Sequence, residues 1–97
     1  MSVLVDLAMF PTDKGESVSP YVCRIIRIIR DSGLPYQFGS MGTSFEGEWE
    51  EVMTLLTRCF EELKKDCDRI YMTIKVDYCH GAGGRIESKI QSIQSKL

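Results

Sequence analysis

The spacing of apolar residues divides the chain into segments of strand and helix character. Residues 3–10 are apolar almost throughout, which predicts a strand covered on both faces. Residues 19–32 carry apolar positions at helical spacing, with Ser19 as the expected N-cap and Pro20 at the first helical position. Gly33 is the expected C-cap residue, and Pro35 prevents the helix from continuing.

Both long helices are predicted to be amphipathic. The inner face of the first consists of Val22, Ile25, Ile26 and Ile29, and its outer face carries Arg24, Arg27 and Arg30. The second helix spans about 48–66. Its inner stripe consists of Trp49, Val52, Met53, Leu56, Cys59, Phe60 and Leu63. Glutamates at its start and lysines at its end complement the helix dipole.

The remaining segments are shorter. Residues 35–41 and 42–47 are predicted to be two strands, with Gly39 and Gly42 near the turn at a positive φ or a bulge; a single bent strand is the alternative. Residues 69–78 alternate strictly and predict a strand. A glycine-rich loop over 79–84 precedes a last helix over 85–97. The apolar seam of that helix consists of Ile86, Ile90, Ile93 and Leu97.

The order β-α-β-β-α-β plus a helix predicts one α+β domain over 1–97, with a ferredoxin-like antiparallel sheet and helices on one face. One face of the last strand then carries Ile70, Met72, Ile74 and Val76. The outer face of the sheet carries Leu4, Asp6, Ala8, Phe10, Tyr71, Thr73, Lys75 and Asp77. Because this outer face is half apolar, we expect it to associate with another subunit.

Composition excludes several classes of protein. The chain has 97 residues and a net charge of −2, which argues against binding to nucleic acid. It has no apolar run of membrane-spanning length. The amino terminus lacks a basic leader and carries Asp6 within its apolar run, so we expect no signal peptide and a cytoplasmic location. The four cysteines should then be reduced, with Cys59 buried as a small hydrophobe.

Residues 40–53 are the strongest candidate for a functional segment. Two glycines bracket a short polar run that contains Thr43, Ser44 and Glu46, and an amphipathic helix follows. Hydrogen-bonding side chains interleaved with apolar ones, beside a rigid helix, favour a small-molecule pocket. The alternative is a plain hairpin whose threonine and glutamate face solvent.

Other signals predict neither a metal site nor catalysis. Cys79 and His80 are adjacent, so their side chains should point apart on a strand end, and no further Cys or His spacing completes a zinc site. The glycines of residues 81–84 could hold an anion before a helix, yet they lack the P-loop pattern. With no acid–base pair and no nucleophile next to a base, we expect no enzyme and no cofactor.

Several blocks closely resemble the small thiamine-binding protein family. They occur in the right order over nearly the whole chain, and the Met-Gly-Thr…Glu-Gly-Glu block is the most specific of them. The blocks are Pro11…Gly15-Glu-Ser-Val-Ser19, Ser32-Gly-Leu34, Met41-Gly-Thr…Glu46-Gly-Glu48…Glu51-Val-Met53 and Lys75-Val-Asp77. The chain departs from the family over 78–84, where members often carry a basic residue, which puts ligand or anion contacts there in doubt.

The resemblance implies a non-catalytic, ferredoxin-like protein that forms dimers or dimer-based tetramers and binds thiamine or its hydroxymethylpyrimidine part. On this chain the ligand-binding residues would be Ser17, Ser19, Phe38, Met41, Thr43 and Glu46. Glu46 would pair with the aminopyrimidine edge, the hydroxyls would complete that edge, and Phe38 or Met41 would pack on the ring. Alternatively, Ser19 is only an N-cap and Glu46 only supports the following helix. The competing function is an oligomeric regulatory or protein-interaction module without a ligand.

Overall fold

The computed structural model describes residues 2–81 and 83–97. Its elements are β1 Ser2–Pro11, α1 Ser19–Asp31, β2 Tyr36–Phe38, β3 Thr43–Gly47, α2 Trp49–Lys64, β4 Ile70–Cys79 and α3 Arg85–Gln94. The strands form one antiparallel sheet in the order β2-β3-β1-β4. This arrangement confirms the predicted ferredoxin-like α+β fold. Ala82, in the predicted 79–84 loop, lies outside the described residues.

The alternation of β1 sorts its side chains between the two faces of the sheet. Val3, Val5, Leu7 and Met9 are buried, and they belong to the same core as Ile25 and Ile29 of α1 and the apolar stripe of α2. Residues 4, 6, 8 and 10 are only half-buried on the opposite face. The helices α1 and α2 therefore cover one face of the sheet, because only that face of β1 is uniformly apolar.

The segment after α1 is a hairpin rather than one bent strand. β2 has three residues and pairs with the start of β3, with Phe38 opposite Thr43. The prediction of positive φ at the turn glycines is wrong, since neither Gly39 nor Gly42 has one. Gly39 is required for space instead, because a Cβ there would lie 2.8 Å from the carbonyl oxygen of Gly42. Gly33 does adopt a positive φ of 83° just after α1, as a helix-ending glycine should.

An ion-pair cluster ties α1 to α2. The prediction that Arg24 faces solvent is wrong: its guanidinium donates to the Glu62 carboxylate at 3.0 Å, to the Glu62 carbonyl at 2.7 Å, and to both Asp66 oxygens at 3.0 Å. These bonds, chiefly the bond to Asp66, raise the pKa of Arg24, and Arg24 in turn lowers the pKa of Asp66. The cluster fixes the position of α1 beside the sheet.

The second helix and the last strand are less covered than their patterns predict. Trp49, expected in the inner stripe of α2, is half exposed at the first residue of that helix. In β4, Ile74 and Val76 lie opposite Leu7 and Val5 on the helix-covered face, yet they are 42% and 45% exposed. The helices therefore leave the edge of the sheet along β4 uncovered on this face.

The last helix lies on the other face of the sheet. α3 contacts β3 and has no buried residue among those described. Its predicted seam is only partly engaged in the single chain: Ile86 is half-buried, whereas Ile90, Ile93 and Leu97 are exposed. The seam thus remains available for contacts outside the chain described.

A candidate ligand-binding cleft beside the first helix

A cleft of about 650 Å³ opens between α1, the middle of β1 and the turn that joins β2 to β3. The volume is within the range of small-molecule sites. Its floor is apolar, formed by Leu7 and Met9 of the sheet and by Ile25 and Ile29 of the helix. β2 ends at Phe38, and the turn that follows it lines the cleft together with α1 and β1.

Four of the six predicted site residues line this cleft. Thr43 lies at the start of β3 and is 3% exposed, whereas Phe38 at the end of β2 is 61% exposed. Met41 is exposed in the turn, and Ser19 is exposed at the first residue of α1. The arrangement combines the hydroxyl of a buried residue, an exposed apolar side chain and an aromatic face around one cavity. It can hold a flat heterocycle by stacking and by hydrogen bonds to its edge.

The predicted N-cap role of Ser19 is wrong. The structure places the N-cap at Val18, and that position makes no side-chain capping hydrogen bond within the described residues. Ser19 is the first residue of α1, one position further along than a capping serine would be. Its hydroxyl is therefore not used to cap the helix and stands at the rim of the cleft.

Ser17 and Glu46 do not line the cleft. Ser17 is exposed in the loop before α1. Glu46 projects from the opposite face of the sheet, because it lies opposite Leu4, whereas Thr43 lies opposite Leu7. Two residues separated by an odd number along a strand point to opposite faces, so strand alternation alone indicates that Thr43 and Glu46 diverge. The structure does not bring all six predicted residues into one cavity of a single chain.

Glu46 binds the start of α3 instead. It is 3% exposed, and its carboxylate oxygens accept from the backbone N–H of Arg85 at 3.1 and 3.2 Å. The guanidinium nitrogen Nε of Arg85 lies 3.9 Å from the carboxylate. A carboxylate at the positive end of a helix dipole stabilises that helix. The alternative that Glu46 supports a helix is therefore favoured, but the helix is α3 rather than α2.

Arg85 connects this end of the molecule to β1 and β4. Its guanidinium donates to the Ser2 hydroxyl at 2.8 Å, to the Asp77 carbonyl at 2.6 Å and to the Asp77 carboxylate at 2.9 Å. Lys89 also pairs with Asp77, and Lys89 together with Arg85 holds the pKa of that carboxyl below its usual range. No local sequence pattern predicts these contacts of Arg85, apart from its position at the start of a helix after glycines.

A second, smaller cavity of about 230 Å³ lies beneath α3. Ile86, Lys89 and Ile90 form its roof, and Leu4 and Ser44 of the sheet form its floor. Phe38 borders both cavities. The turn between β2 and β3 thus separates one cavity on each face of the sheet.

The four cysteines differ in burial, and none of them forms a disulfide. Cys59 is buried, as predicted, and burial raises the pKa of its thiol to about 11. All four cysteines are free thiols. Cys79 contacts the carbonyl oxygen of His80 at 3.8 Å rather than its ring. Within residues 2–81 and 83–97, no group of three or more potential metal ligands comes together.

These features define a class of protein: a ferredoxin-like α+β protein with an apolar cleft against its first helix and a hydroxyl at the cleft floor. The chain belongs to the thiamine-binding protein family, whose model matches residues 5–94. No helix in the described part of the chain is long and apolar enough to cross a membrane.

Relatives of known sequence and structure agree with this assignment. The chain is 38% identical over 98 residues to the UPF0045 protein Mb1933 of Mycobacterium bovis, covering 100% of this chain and 96% of the relative. It is similar to the crystal structure of hypothetical protein MJ1052 from Methanocaldococcus jannaschii, with a TM-score of 0.87, 28% identity and 96% of each chain covered. It is also similar to the crystal structure of a "putative thiamine biosynthesis/salvage protein (TM0486)" from Thermotoga maritima. In that comparison the TM-score is 0.84 at 26% identity, covering 96% of this chain and 99% of the other.

Proposed function

We propose that this chain is a non-catalytic binding protein for thiamine or its hydroxymethylpyrimidine moiety, with the pyrimidine ring held in the cleft beside α1. The observation that carries the proposal is that Phe38, Met41 and Thr43 line one cavity of ligand size in a chain of the thiamine-binding family. The thiamine-related description of the Thermotoga maritima neighbour supports the same ligand class.

The chemistry of the cleft suits a flat, weakly polar ring. Phe38 offers an exposed aromatic face, and the floor of isoleucine, leucine and methionine side chains excludes water from the ring. Thr43 supplies a hydroxyl that can both donate and accept, which matches the ring nitrogen and the exocyclic amine of an aminopyrimidine. Ser19 supplies a second hydroxyl at the rim.

The side chains of the cleft favour binding over catalysis. Among the described lining residues there is neither a carboxylate nor a histidine to act as a general base. The Cys23 thiol lies at the rim without a base beside it in that lining. The family description names binding, which supports the same conclusion.

The pyrimidine pocket can be tested through Thr43. Thr43→Val keeps the shape of the side chain but removes one neutral hydrogen bond, which is worth about 0.5–1.5 kcal/mol. We expect the affinity for hydroxymethylpyrimidine, measured by titration calorimetry, to fall roughly two- to tenfold. The matched control is Ser44→Ala, whose side chain lies on the opposite face of the sheet. No binding of thiamine or hydroxymethylpyrimidine by the unaltered protein would contradict the proposed function, and an equal loss in the control would move the site to the cavity under α3.

We also propose that the protein acts as a homo-oligomer, either a dimer or a dimer-based tetramer. β4 is an edge strand with exposed apolar side chains, and α3 presents exposed isoleucines on the other face of the sheet. Edge strands with apolar side chains pair readily with another chain, and closed symmetric assemblies remove both exposed surfaces.

We also propose a cytoplasmic location for the protein. The exposed free thiol of Cys23 suits a reducing compartment.

Assembly can be tested by placing a charge on each apolar surface. Val76→Asp on β4 and Ile90→Asp on α3 should each lower the molar mass measured by light scattering at micromolar concentration, because a buried unpaired carboxylate is costly. The control, Thr54→Asp, adds the same charge on the exposed side of α2 and should leave the assembly intact. A monomeric unaltered protein at micromolar concentration would contradict the proposed oligomer.

A further inference from the structure

The edge of the cleft formed by α1 is cationic. Ser19, Cys23, Arg27 and Arg30 follow one another at spacings of four, four and three residues, so they lie along one side of the helix. All four line the cleft, next to the apolar row that forms its wall. The polar edge thus begins with a hydroxyl and ends with two guanidinium groups.

The three arginines of α1 have different surroundings. Arg24 is held by Glu62 and Asp66 of α2 and is not part of the cleft. Arg30 lines the cleft but pairs with its neighbour Asp31 at 2.9 Å. Arg27 lines the cleft, is exposed, and forms no ion pair within the described residues. Arg27 is therefore the cation of this cleft whose charge is not neutralised by a protein carboxylate.

Asp31 offsets the charge of Arg30, but no anionic group forms an ion pair with Arg27 within the described residues. Among its described lining residues the cleft contains no aspartate or glutamate. Glu46, the acidic residue expected at the pocket, binds the start of α3 on the other face of the sheet. A ligand in this cleft therefore meets two guanidinium groups, of which only Arg30 is paired with a carboxylate, and this disfavours a cationic thiazolium and favours an anion.

We propose that the preferred ligand of this cleft is a phosphate monoester of the pyrimidine, with its phosphate bound by Arg27 and assisted by Arg30. The inference rests on the proposed function, because the pyrimidine ring would occupy the apolar floor near Thr43. The planar guanidinium of arginine donates two parallel hydrogen bonds to a phosphate, which a compact ammonium cannot do. Two helical turns, about 12 Å, separate Ser19 from Arg27, and a ring with an ester-linked phosphate fits within that length.

A phosphate monoester of the pyrimidine must be distinguished from thiamine monophosphate, whose phosphate is on the hydroxyethyl group of the thiazolium. Hydroxymethylpyrimidine phosphate brings no positive charge into the cleft, whereas thiamine monophosphate keeps its thiazolium. Titration calorimetry with hydroxymethylpyrimidine, its phosphate, thiamine, thiamine monophosphate and inorganic phosphate separates these sources. We expect each phosphate ester to bind roughly tenfold or more tightly than its parent alcohol, and the difference to shrink as salt is raised.

The decisive measurement is the ratio of ester to alcohol affinity in two variants. Arg27→Gln should bring the ratio close to one, whereas Arg58→Gln, which removes an exposed arginine of α2 outside the cleft, should leave the ratio unchanged. Equal affinities of ester and alcohol in the unaltered protein, or a ratio that survives Arg27→Gln, would overturn the inference but leave the proposed function standing. Binding of inorganic phosphate as tight as that of the esters would also overturn it. If neither alcohol nor ester binds, the proposed function and the inference both fail.

Discussion

Replacing Glu46 with glutamine should lower the melting temperature by roughly 6–24 °C and leave the affinity for the pyrimidine unchanged within about twofold. Glu46 is almost fully buried and accepts from the backbone of Arg85 through both oxygens. Hydrogen bonds to a charged group contribute about 1.5–3 kcal/mol, and each kcal/mol shifts the melting temperature of a chain of this size by about 4–8 °C. The variant keeps the shape of the side chain and removes its charge at the start of α3.

The measurement is a thermal melt beside a calorimetric titration on the same preparation. The matched control is Glu50→Gln, which removes an exposed carboxylate from the first turn of α2 and should lower the melting temperature far less. A large loss of affinity with an unchanged melting temperature would contradict the structural role and return Glu46 to the ligand site. The experiment therefore decides between the two roles that the sequence leaves open for this residue.

The second large effect is expected from Phe38. Phe38→Ala should weaken binding of the pyrimidine roughly 5- to 150-fold, because stacking of a base on an aromatic side chain is worth about 1–3 kcal/mol. Phe38 is mostly exposed at the end of β2, so its removal should change the melting temperature little. Titration calorimetry gives the affinity, and the thermal melt establishes that the fold is retained.

Tyr36 provides the matched control for this variant. It is an exposed aromatic residue on the same short strand, two positions from Phe38, and it does not line the cleft. Tyr36→Ala removes a similar aromatic surface, so it should leave the affinity unchanged. If Phe38→Ala binds as tightly as the unaltered protein, the ring is not stacked in this cleft and the proposed pose is wrong.

The variants Glu46→Gln and Phe38→Ala test whether the side chains of residues 38–46 divide their roles between the two faces of the sheet. In the proposed pose Phe38 and Thr43 contact the ligand on the side of α1, whereas Glu46 binds the start of α3 on the other side.

Periodicity alone determined the type and order of the elements of this protein. The alternation of residues 69–78 reflects a strand with two distinct faces, and the helical spacing of the apolar stripe of α2 reflects one side facing the core, so both elements could be predicted without tertiary contacts. Strand alternation also predicted correctly which residues lie on the outer face of the sheet. On that face Leu4, Asp6, Ala8 and Phe10 lie opposite Asp77, Lys75, Thr73 and Tyr71. Gly33 after α1 followed from the need for a positive φ at that position.

Only the tertiary structure decided which partners the polar side chains take. Glu46 meets the backbone of Arg85, 39 residues further along the chain, and Arg24 meets Asp66, 42 residues further along. No local pattern encodes such pairs, because they depend on how whole helices dock on the sheet. The cleft has the same origin, because its lining comes from β1, α1 and the turn between β2 and β3, which are distant from one another along the chain. Side-chain periodicity sets which face a residue occupies, but the packing of distant elements sets whether that face holds a ligand, another helix or solvent.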